Sequence, residues 1–360
     1  MQPEKEVHDM QISLDDAIAF GKQVLGALKV PDDIADDVAR HLVEADRVGY
    51  TSHGVSILPT YCQVLADGLI DPAGRPSVLA DHDSLLMFEG NRGLGQHVGK
   101  VVVERAMTRA LDRGVCILTL RNSHHLGRMG QYGEVCAHAG LVFMAFANVT
   151  NLAPMVAPVG GAEPRLTSNP LCFAGPLPND RPPLVVDMAT SAIAVNKARV
   201  LAANGMKAPP GSLIDSRGCP TDDPNVLQAD PPGSLLPFGA HKGYALGVVA
   251  ELLAGVLSGG GTIQPGNPRQ GAVTNNMFAI VLNPQMDCSS PWRSHEVEAF
   301  IEYLLSCPRQ PGADPVQYPG EYEARNRQKY HDHIELSTPI WASLTRMADE
   351  LGVVPPAARA

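Results

Sequence analysis

The chain has 360 residues, 44% of them hydrophobic and 18% charged, and a formal net charge of −10. That length buries a large core, and such a composition excludes a disordered chain. The acidic balance weighs against a nucleic-acid or anionic-membrane surface, so neither kind of partner is expected.

The seven cysteines (Cys62, Cys116, Cys136, Cys172, Cys219, Cys288 and Cys307) are scattered and odd in number, and no pair has C-x-x-C spacing. Reduced thiols in a cytoplasmic protein are therefore expected, with neither disulfides nor a metal site. The N-terminus "MQPEKEVHDMQISLDDA" is acidic and lacks the apolar core of a signal peptide. The longest apolar stretch, "YALGVVAELLAGVLSG", carries Glu251 and is short for a bilayer span.

In chain order, Ser13 reads as the N-cap of a helix over "LDDAIAFGKQVLGALKV", with Asp15 and Asp16 in its first turn. Pro31 opens a second helix with Ile34, Val38 and Leu42 on one face. A third helix is expected to begin at Thr51–Ser52 and run through "HGVSILPTYCQVLADG". After Pro72, "PSVLADHDSLLMFEG" reads as two short strands, "GQHVGKVVVERAMTRALDRG" as an amphipathic helix, and "VCILTL" and "LVFMAFANV" as buried strands. "PLVVDMATSAIAVNKARVLAANG" reads as strand, turn and helix, and "AHKGYALGVVAELLAGVLSGG" as a nearly all-apolar, hence central, helix. "NNMFAIVLNP" is a further strand; helices follow from Trp292, through "SHEVEAFIEYLLS", "GEYEARNRQKY" and "STPIWASLTRMADELG", before a loose tail, "VVPPAARA". The pattern implies an α/β fold in which both termini build one helical portion. The expected division is a helical domain of residues 1–75 with 291–360 and an α/β domain of residues 76–290.

"EGNRGLGQHVGK" follows a strand and opens a helix, but Gly93, Gly95 and Gly99 have G-x-G-x-x-x-G spacing. A dinucleotide fingerprint needs G-x-G-x-x-G and an acidic residue about 20 positions on. The next strand ends in Arg121, so a structural turn is the better reading.

Four short stretches hold residue types suited to chemistry. "TSHG" sets Ser52 beside His53, whose imidazole suits proton delivery to a carbonyl, although by itself the triplet also reads as a capped helix start. "NSHHLGRMG" joins His124, His125 and Arg128 to glycines whose N–H groups can approach phosphates; the alternative is a polar loop after a strand. "VVDMATS" ends a strand at Asp187 and opens a helix, and "HKG" sets a cation at another helix start.

Taken together and in order, "SHGVSILPTY", "RNSHHLGRMG", "SNPLCFAGP", "VVDMATSAIAVNKARV", "HKGYALGVVAELLAGVLSGG", "NNMFAIVLNP" and "PGEYEARNR" resemble the malate/L-lactate dehydrogenase type 2 family, also called sulfolactate dehydrogenase-like oxidoreductases. Within it, "NSHHLGRMG", "GSLIDSRGCPTDDP" and "GSLLPFGAHKGYAL" look most like the hydroxycarboxylate dehydrogenase B type. The resemblance implies a mixed-sheet, non-Rossmann α/β fold, a homodimer, NAD or NADP as cofactor, and a small 2-oxo or 2-hydroxy acid as substrate. It implies that His53 is the acid at the substrate carbonyl, that Ser52 orients it, and that His125 lies close to the substrate. It implies a cofactor lining of Gly127, Arg128 and Met129; Val185, Val186, Asp187, Met188 and Ala189; His241 and Lys242; Asn275; and Gly320, Glu321, Tyr322 and Glu323. Arg128 could meet a pyrophosphate or a 2′-phosphate equally well, so the sequence does not settle NADH against NADPH.

The chain departs from the family at Ile57, where many members have an arginine for the substrate carboxylate, and at Thr51, Ser168 and Asn196. These departures bear on substrate more than on reaction class. A cyclic imino acid reductase is the alternative function. A hydrolase built on Ser52 and His53 is disfavoured, because no nucleophile elbow is present and sequence neighbours rarely face each other for attack. A non-catalytic nucleotide-binding protein is disfavoured by the retained histidines.

Overall fold

The computed structural model describes residues 10–203, 205–285 and 290–359. Residues 1–9, on which part of the N-terminal reading rests, and Cys288 lie outside them.

Strand β1 (Met10–Ser13) leads into helices α1 (Leu14–Ala27) and α2 (Asp32–Arg47). Ser13 caps α1 as expected, its Oγ accepting from the Asp16 N–H at 3.1 Å. The third helix differs from expectation. Residues 51–53 and 55–57 form two short 3₁₀ turns, and α3 begins only at Leu58 and ends at Ala66. Gly54 between the turns is extended, and Pro59, which has no N–H to give to a preceding turn, fits the first turn of a helix.

The centre of the molecule is a seven-stranded sheet. It is built from β2 (Ser77–His82), β3 (Leu85–Glu89), β4 (Val115–Ser123), β5 (Val142–Thr150), β6 (Leu171–Gly175) and β7 (Leu184–Met188), together with a late strand, Thr274–Leu282. That late strand (β11) lies between β4 and β5, giving the order β2-β3-β4-β11-β5-β6-β7. The β3–β4 pair is parallel, joined through helix α4 (Gly95–Arg113), and the other pairs in this sheet are antiparallel. The sheet is therefore mixed, without the repeated parallel crossovers of a Rossmann domain. Helix α5 (Met129–His138) lies beside α4, and the two bury apolar residues, among them Val98, Val102, Met129 and Cys136, in one cluster with Leu118, Phe143 and Met277 of the sheet.

Beyond β7 come α6 (Val195–Ala203), a small sheet of β8 (Leu213–Ile214), β9 (Pro220–Thr221) and β10 (Ser234–Leu235), and α7 (His241–Ala250), which continues as a π-helix over Glu251–Val256. This last stretch is not the central helix that its composition suggests. Val249, Leu252, Val256 and Leu257 are 40–56% exposed, so an apolar face looks outward. Its inner face is fixed instead by Glu251, which is buried and accepts from Asn148 Nδ2 (3.1 Å), Asn169 Nδ2 (2.6 Å) and the Ile263 N–H (2.6 Å). A buried carboxylate needs such donors, and they tie the π segment to β5.

Helices α8 (Ser290–Leu305), α9 (Glu321–Lys329) and α10 (Thr338–Leu351) close the chain, with β12 (His333–Leu336) pairing antiparallel to β1. A second core cluster joins α1, α2 and α3 to β12 and α10, through Phe20, Leu42, Leu58, Ile334 and Leu344 among others. The two ends thus share one apolar core. The tail is not loose: Gln11 and Arg359 exchange backbone hydrogen bonds of 2.7 and 3.0 Å, which add the C-terminus to the edge of β1.

Candidate active site

The 3₁₀ turn at 51–53 is held from below and from the side. The Val55 N–H donates to Asp46 Oδ2 at 2.7 Å, and a Cβ at Gly54 would fall 2.0 Å from Asp46 Oδ1, so only glycine fits over that carboxylate. Burial pushes the Asp46 carboxyl up to about 8. Asn196 Nδ2, from α6, donates to the Ser52 carbonyl at 3.0 Å. The departure at position 196 therefore supports the turn that carries His53.

His125 sits in the loop after β4. The Leu126 N–H donates to Asn275 Oδ1 (2.9 Å), the Arg128 N–H donates to His41 Nε2 (2.9 Å), and the Tyr132 hydroxyl donates to the Leu126 carbonyl (2.6 Å). Gly127 has φ of +73°, and a Cβ there would meet His41 Nε2 at 2.5 Å. The glycines of the "GNRGLG" stretch serve this packing. A Cβ at Gly93 would meet the Gly74 carbonyl oxygen at 2.2 Å, and one at Gly95 the His125 carbonyl oxygen at the same distance.

Loop and turn bring His53 and His125 together, stacked with ring centroids 5.6 Å apart and planes 22° apart. Each has its Nδ1 beside a hydroxyl: Ser52 Oγ lies 3.0 Å from that of His53, and Tyr61 Oη 2.7 Å from that of His125. Among the described residues neither Nε2 has a partner, and neither is sealed from solvent as the unpartnered Nδ1 of His124 is. Burial, then the nearby Arg128 charge, lowers His53 to about 4; burial and the neighbouring imidazoles put His125 well below its ordinary value. Both rings are neutral near pH 7.

Arg128 corrects an expectation. It is 1% exposed, and its guanidinium forms a two-pronged pair with Glu134 at 2.9 and 3.0 Å, stands 3.9 Å from Glu323 and lies 5.0 Å over the Tyr50 ring. It is committed inward and not open to a phosphate, because so buried a charge must be matched by carboxylates. Glu134 also takes Arg327 of α9 at 2.5 Å, and Glu323 accepts from the Tyr50 hydroxyl at 2.7 Å. This network docks α9 beside the His125 loop.

Part of the expected cofactor lining forms a tract around the end of β7. The Gly130 N–H, at the head of α5, donates to Asp187 Oδ2 at 2.6 Å, joining Gly127, Arg128 and Met129 to the end of β7. The Val185 N–H donates to the Pro319 carbonyl at 3.0 Å, and Gly320 leaves no room for a Cβ, which would meet the Pro183 carbonyl oxygen at 2.1 Å. That seats Gly320 against Val185, while Tyr322 and Glu323 lie against Tyr50. On the other side the head of α7 packs onto Thr190: a Cβ at Gly243 would meet the Thr190 carbonyl oxygen at 2.6 Å. His241 and Lys242 there are exposed. Asn275 is buried, its amide spent on Leu126 and on the Asn148 carbonyl (3.0 Å), so it shapes the loop from beneath. A cavity of about 680 Å³ opens over the ends of β3, β4 and β5, bordered by Arg92, Asn122, His124 and Asn151; His53 and His125 are not among its walls.

Tyr61, Gln96, His41, Asp46 and Glu134 are parts of the site that the motifs did not single out. Tyr61 closes the quoted "SHGVSILPTY", and its place in that stretch is the one signal available.

The malate/L-lactate dehydrogenase family model matches residues 12–345. The chain is 58% identical to an L-lactate dehydrogenase of Cupriavidus necator, over 97% of this chain and 100% of that protein. It is 36% identical to hydroxycarboxylate dehydrogenase B of Escherichia coli O157:H7, over 88% and 87%. Among solved structures, a putative malate/lactate dehydrogenase from E. coli superposes with a TM-score of 0.91 at 34% identity, covering 96% of each chain. A Δ1-piperideine-2-carboxylate reductase from Pseudomonas syringae superposes with a TM-score of 0.80 at 27% identity, covering 94% of this chain and 99% of the other. By the extent of these matches, and by a mixed sheet that agrees with them, the chain belongs to the malate/L-lactate dehydrogenase family.

Proposed function

We propose that this hydroxy-acid dehydrogenase uses NAD or NADP to interconvert a small 2-oxo acid and the matching 2-hydroxy acid, and that it does so in the cytoplasm as a homodimer. The observation that carries the reading is the pair of neutral imidazoles with open Nε2 atoms beside a glycine-rich tract.

The tract suits the cofactor. The buried Gln131 Oε1 at the head of α5 has no partner among the described residues, which leaves an acceptor for a ligand hydroxyl or amide. Asp187, part-buried at the end of β7, suits a ribose hydroxyl, and with Arg128 engaged, a diphosphate would be met by backbone N–H groups and by the exposed His241 and Lys242. The nicotinamide, when bound, supplies or takes up the hydride. His53 holds the proton: its Nε2 donates to the substrate carbonyl oxygen during reduction and takes the hydroxyl proton during oxidation. Ser52 serves both states, because Nδ1 keeps its hydrogen throughout the exchange at Nε2 and the hydroxyl accepts from it. A bound substrate carboxylate favours the protonated imidazole and offsets its depressed starting point. We take residues 1–75 with 291–360 as the helical domain, and 76–290 as the cofactor-binding domain.

The exposed face of Val249, Leu252, Val256 and Leu257 supports the homodimer, since a contiguous apolar patch on a folded surface marks an interface. The likeness to the Pseudomonas reductase keeps a cyclic imino acid as the second reading. Calorimetry with NADH and NADPH tests the cofactor: binding of one or both is expected, and no heat and no thermal shift with either would overturn the reading.

A further inference from the structure

The two histidines are anchored by different hydroxyls, and the difference fixes what each can do. Tyr61 is 1% exposed, and burial raises its phenol well above its ordinary value, so it keeps its proton. Gln96, equally buried, donates from Nε2 to Tyr61 Oη at 2.6 Å. With that lone pair taken, the phenol proton is directed to its other neighbour, His125 Nδ1, at 2.7 Å. A neutral imidazole that accepts at Nδ1 carries its hydrogen at Nε2. Protonating His125 would require Nδ1–H to face an oxygen already receiving an amide hydrogen, and would strand the phenol proton in a buried place. His53 meets no such bar, because the half-exposed Ser52 hydroxyl can accept from its Nδ1–H.

We propose that Tyr61 and Gln96 are positioning residues that lock His125 as a permanent Nε2–H donor to the substrate carboxylate, leaving His53 as the histidine that exchanges a proton. This assignment rests on the dehydrogenase reading above. It also supplies a donor for the carboxylate in a chain that has Ile57 where relatives have a guanidinium. The substrate class it fits is a 2-oxo acid whose carboxylate and carbonyl oxygens lie on one side of the C–C bond, one oxygen for each ring.

The test is a long-range ¹H–¹⁵N correlation spectrum of histidine-labelled protein near pH 7, with His125 identified by loss of its signals in His125→Gln. We expect a protonated Nε2 and a bare, hydrogen-bonded Nδ1. Tyr61→Phe should turn these into averaged shifts and raise KM for the oxo acid about tenfold, the worth of one hydrogen bond to a charged group, with reduced-nicotinamide affinity unchanged. Gln96→Glu should draw the phenol proton to the new carboxylate and reverse His125 to the Nδ1–H form. It serves as the second variant if Tyr61→Phe does not fold. A protonated Nδ1 in the unaltered protein overturns the proposal. So do unchanged shifts and KM in a folded Tyr61→Phe. The shifts are read without turnover, so absence of activity with every 2-oxo acid counts against the dehydrogenase reading and the carboxylate contact, while the tautomer is judged on its own.

Discussion

His53 and His125 come from segments 72 positions apart in the chain and end as stacked rings with centroids 5.6 Å apart, each tethered at Nδ1 and open at Nε2. The same burial that aligns them lowers both pKa values, so the free site holds two neutral imidazoles. Two positive rings this close, beside Arg128, would repel.

The first prediction follows from that state. Oxidation of a 2-hydroxy acid needs bare His53, and in the free enzyme His53 gains a proton only near pH 4. kcat/KM for oxidation should therefore stay level through pH 6 and fall as pH drops through about 4. Reduction, which needs the protonated ring, should slow as pH rises. A profile of oxidation with its acid limb near 6.5 would contradict this placement of His53.

Stability should respond to the same burial. His124 is lowered to about 3 and His41 to about 3, both below the unfolded value of 6.5. The stability tied to such groups is fully present above pH 6.5 and is lost as pH falls toward the folded values, at about 1.4 kcal/mol per pH unit per group. His124→Phe keeps a ring against Tyr61, where the two now meet edge-on at 4.9 Å, and removes one such group. Its denaturation midpoint should fall less than that of the unaltered protein between pH 6.5 and 4. Asp46 and Asp187, raised to about 8 and about 6, act with opposite sign, but they are common to both proteins and cancel in the comparison. Equal slopes would mean that His124 is not held neutral.

Ile57 is half-buried and packs against the helical core cluster. If it also borders the substrate, Ile57→Arg should shift preference from phenylpyruvate toward oxaloacetate by about 10-fold or more, through loss of apolar contact and gain of a charge-assisted pair. Comparing kcat/KM for the two acids decides it, and an unchanged ratio places residue 57 away from the substrate.

The assembly is open to a direct check. Leu252 is 53% exposed on the outer face of the π segment. Leu252→Glu should convert a dimer to a monomer in light scattering. A monomer before substitution, or a dimer after it, would show that this face is not the interface.

Much of this was legible in the chain. Alternation and apolar runs located β4, β5 and β11, and Ser13 marked the first cap. Long-range pairing was not legible. Nothing local says that Thr274–Leu282 inserts between β4 and β5, or that Gln11 meets Arg359. Composition misplaced α7, because an apolar helix reads the same whether its outer face meets its own core or another surface. Arg128 misled for a related reason: a loop arginine beside glycines resembles a phosphate ligand, and only the fold brings Glu134 and Glu323 around it. His53 and His125 were legible through their motifs, whereas Tyr61 and Gln96 act through contacts 64 and 35 residues apart in sequence, which no spacing rule reaches.

The central claim is that His53 exchanges the proton in nicotinamide-dependent reduction of a 2-oxo acid. The most direct measurement is the loss of reduced-nicotinamide absorbance over a panel of 2-oxo acids, with NADH and with NADPH, for the unaltered protein and His53→Ala. The account predicts turnover in the former and a kcat lower by roughly 10²–10⁴-fold in the variant, the usual worth of a positioned acid, with cofactor affinity little changed. Turnover by His53→Ala at the rate of the unaltered protein would contradict it.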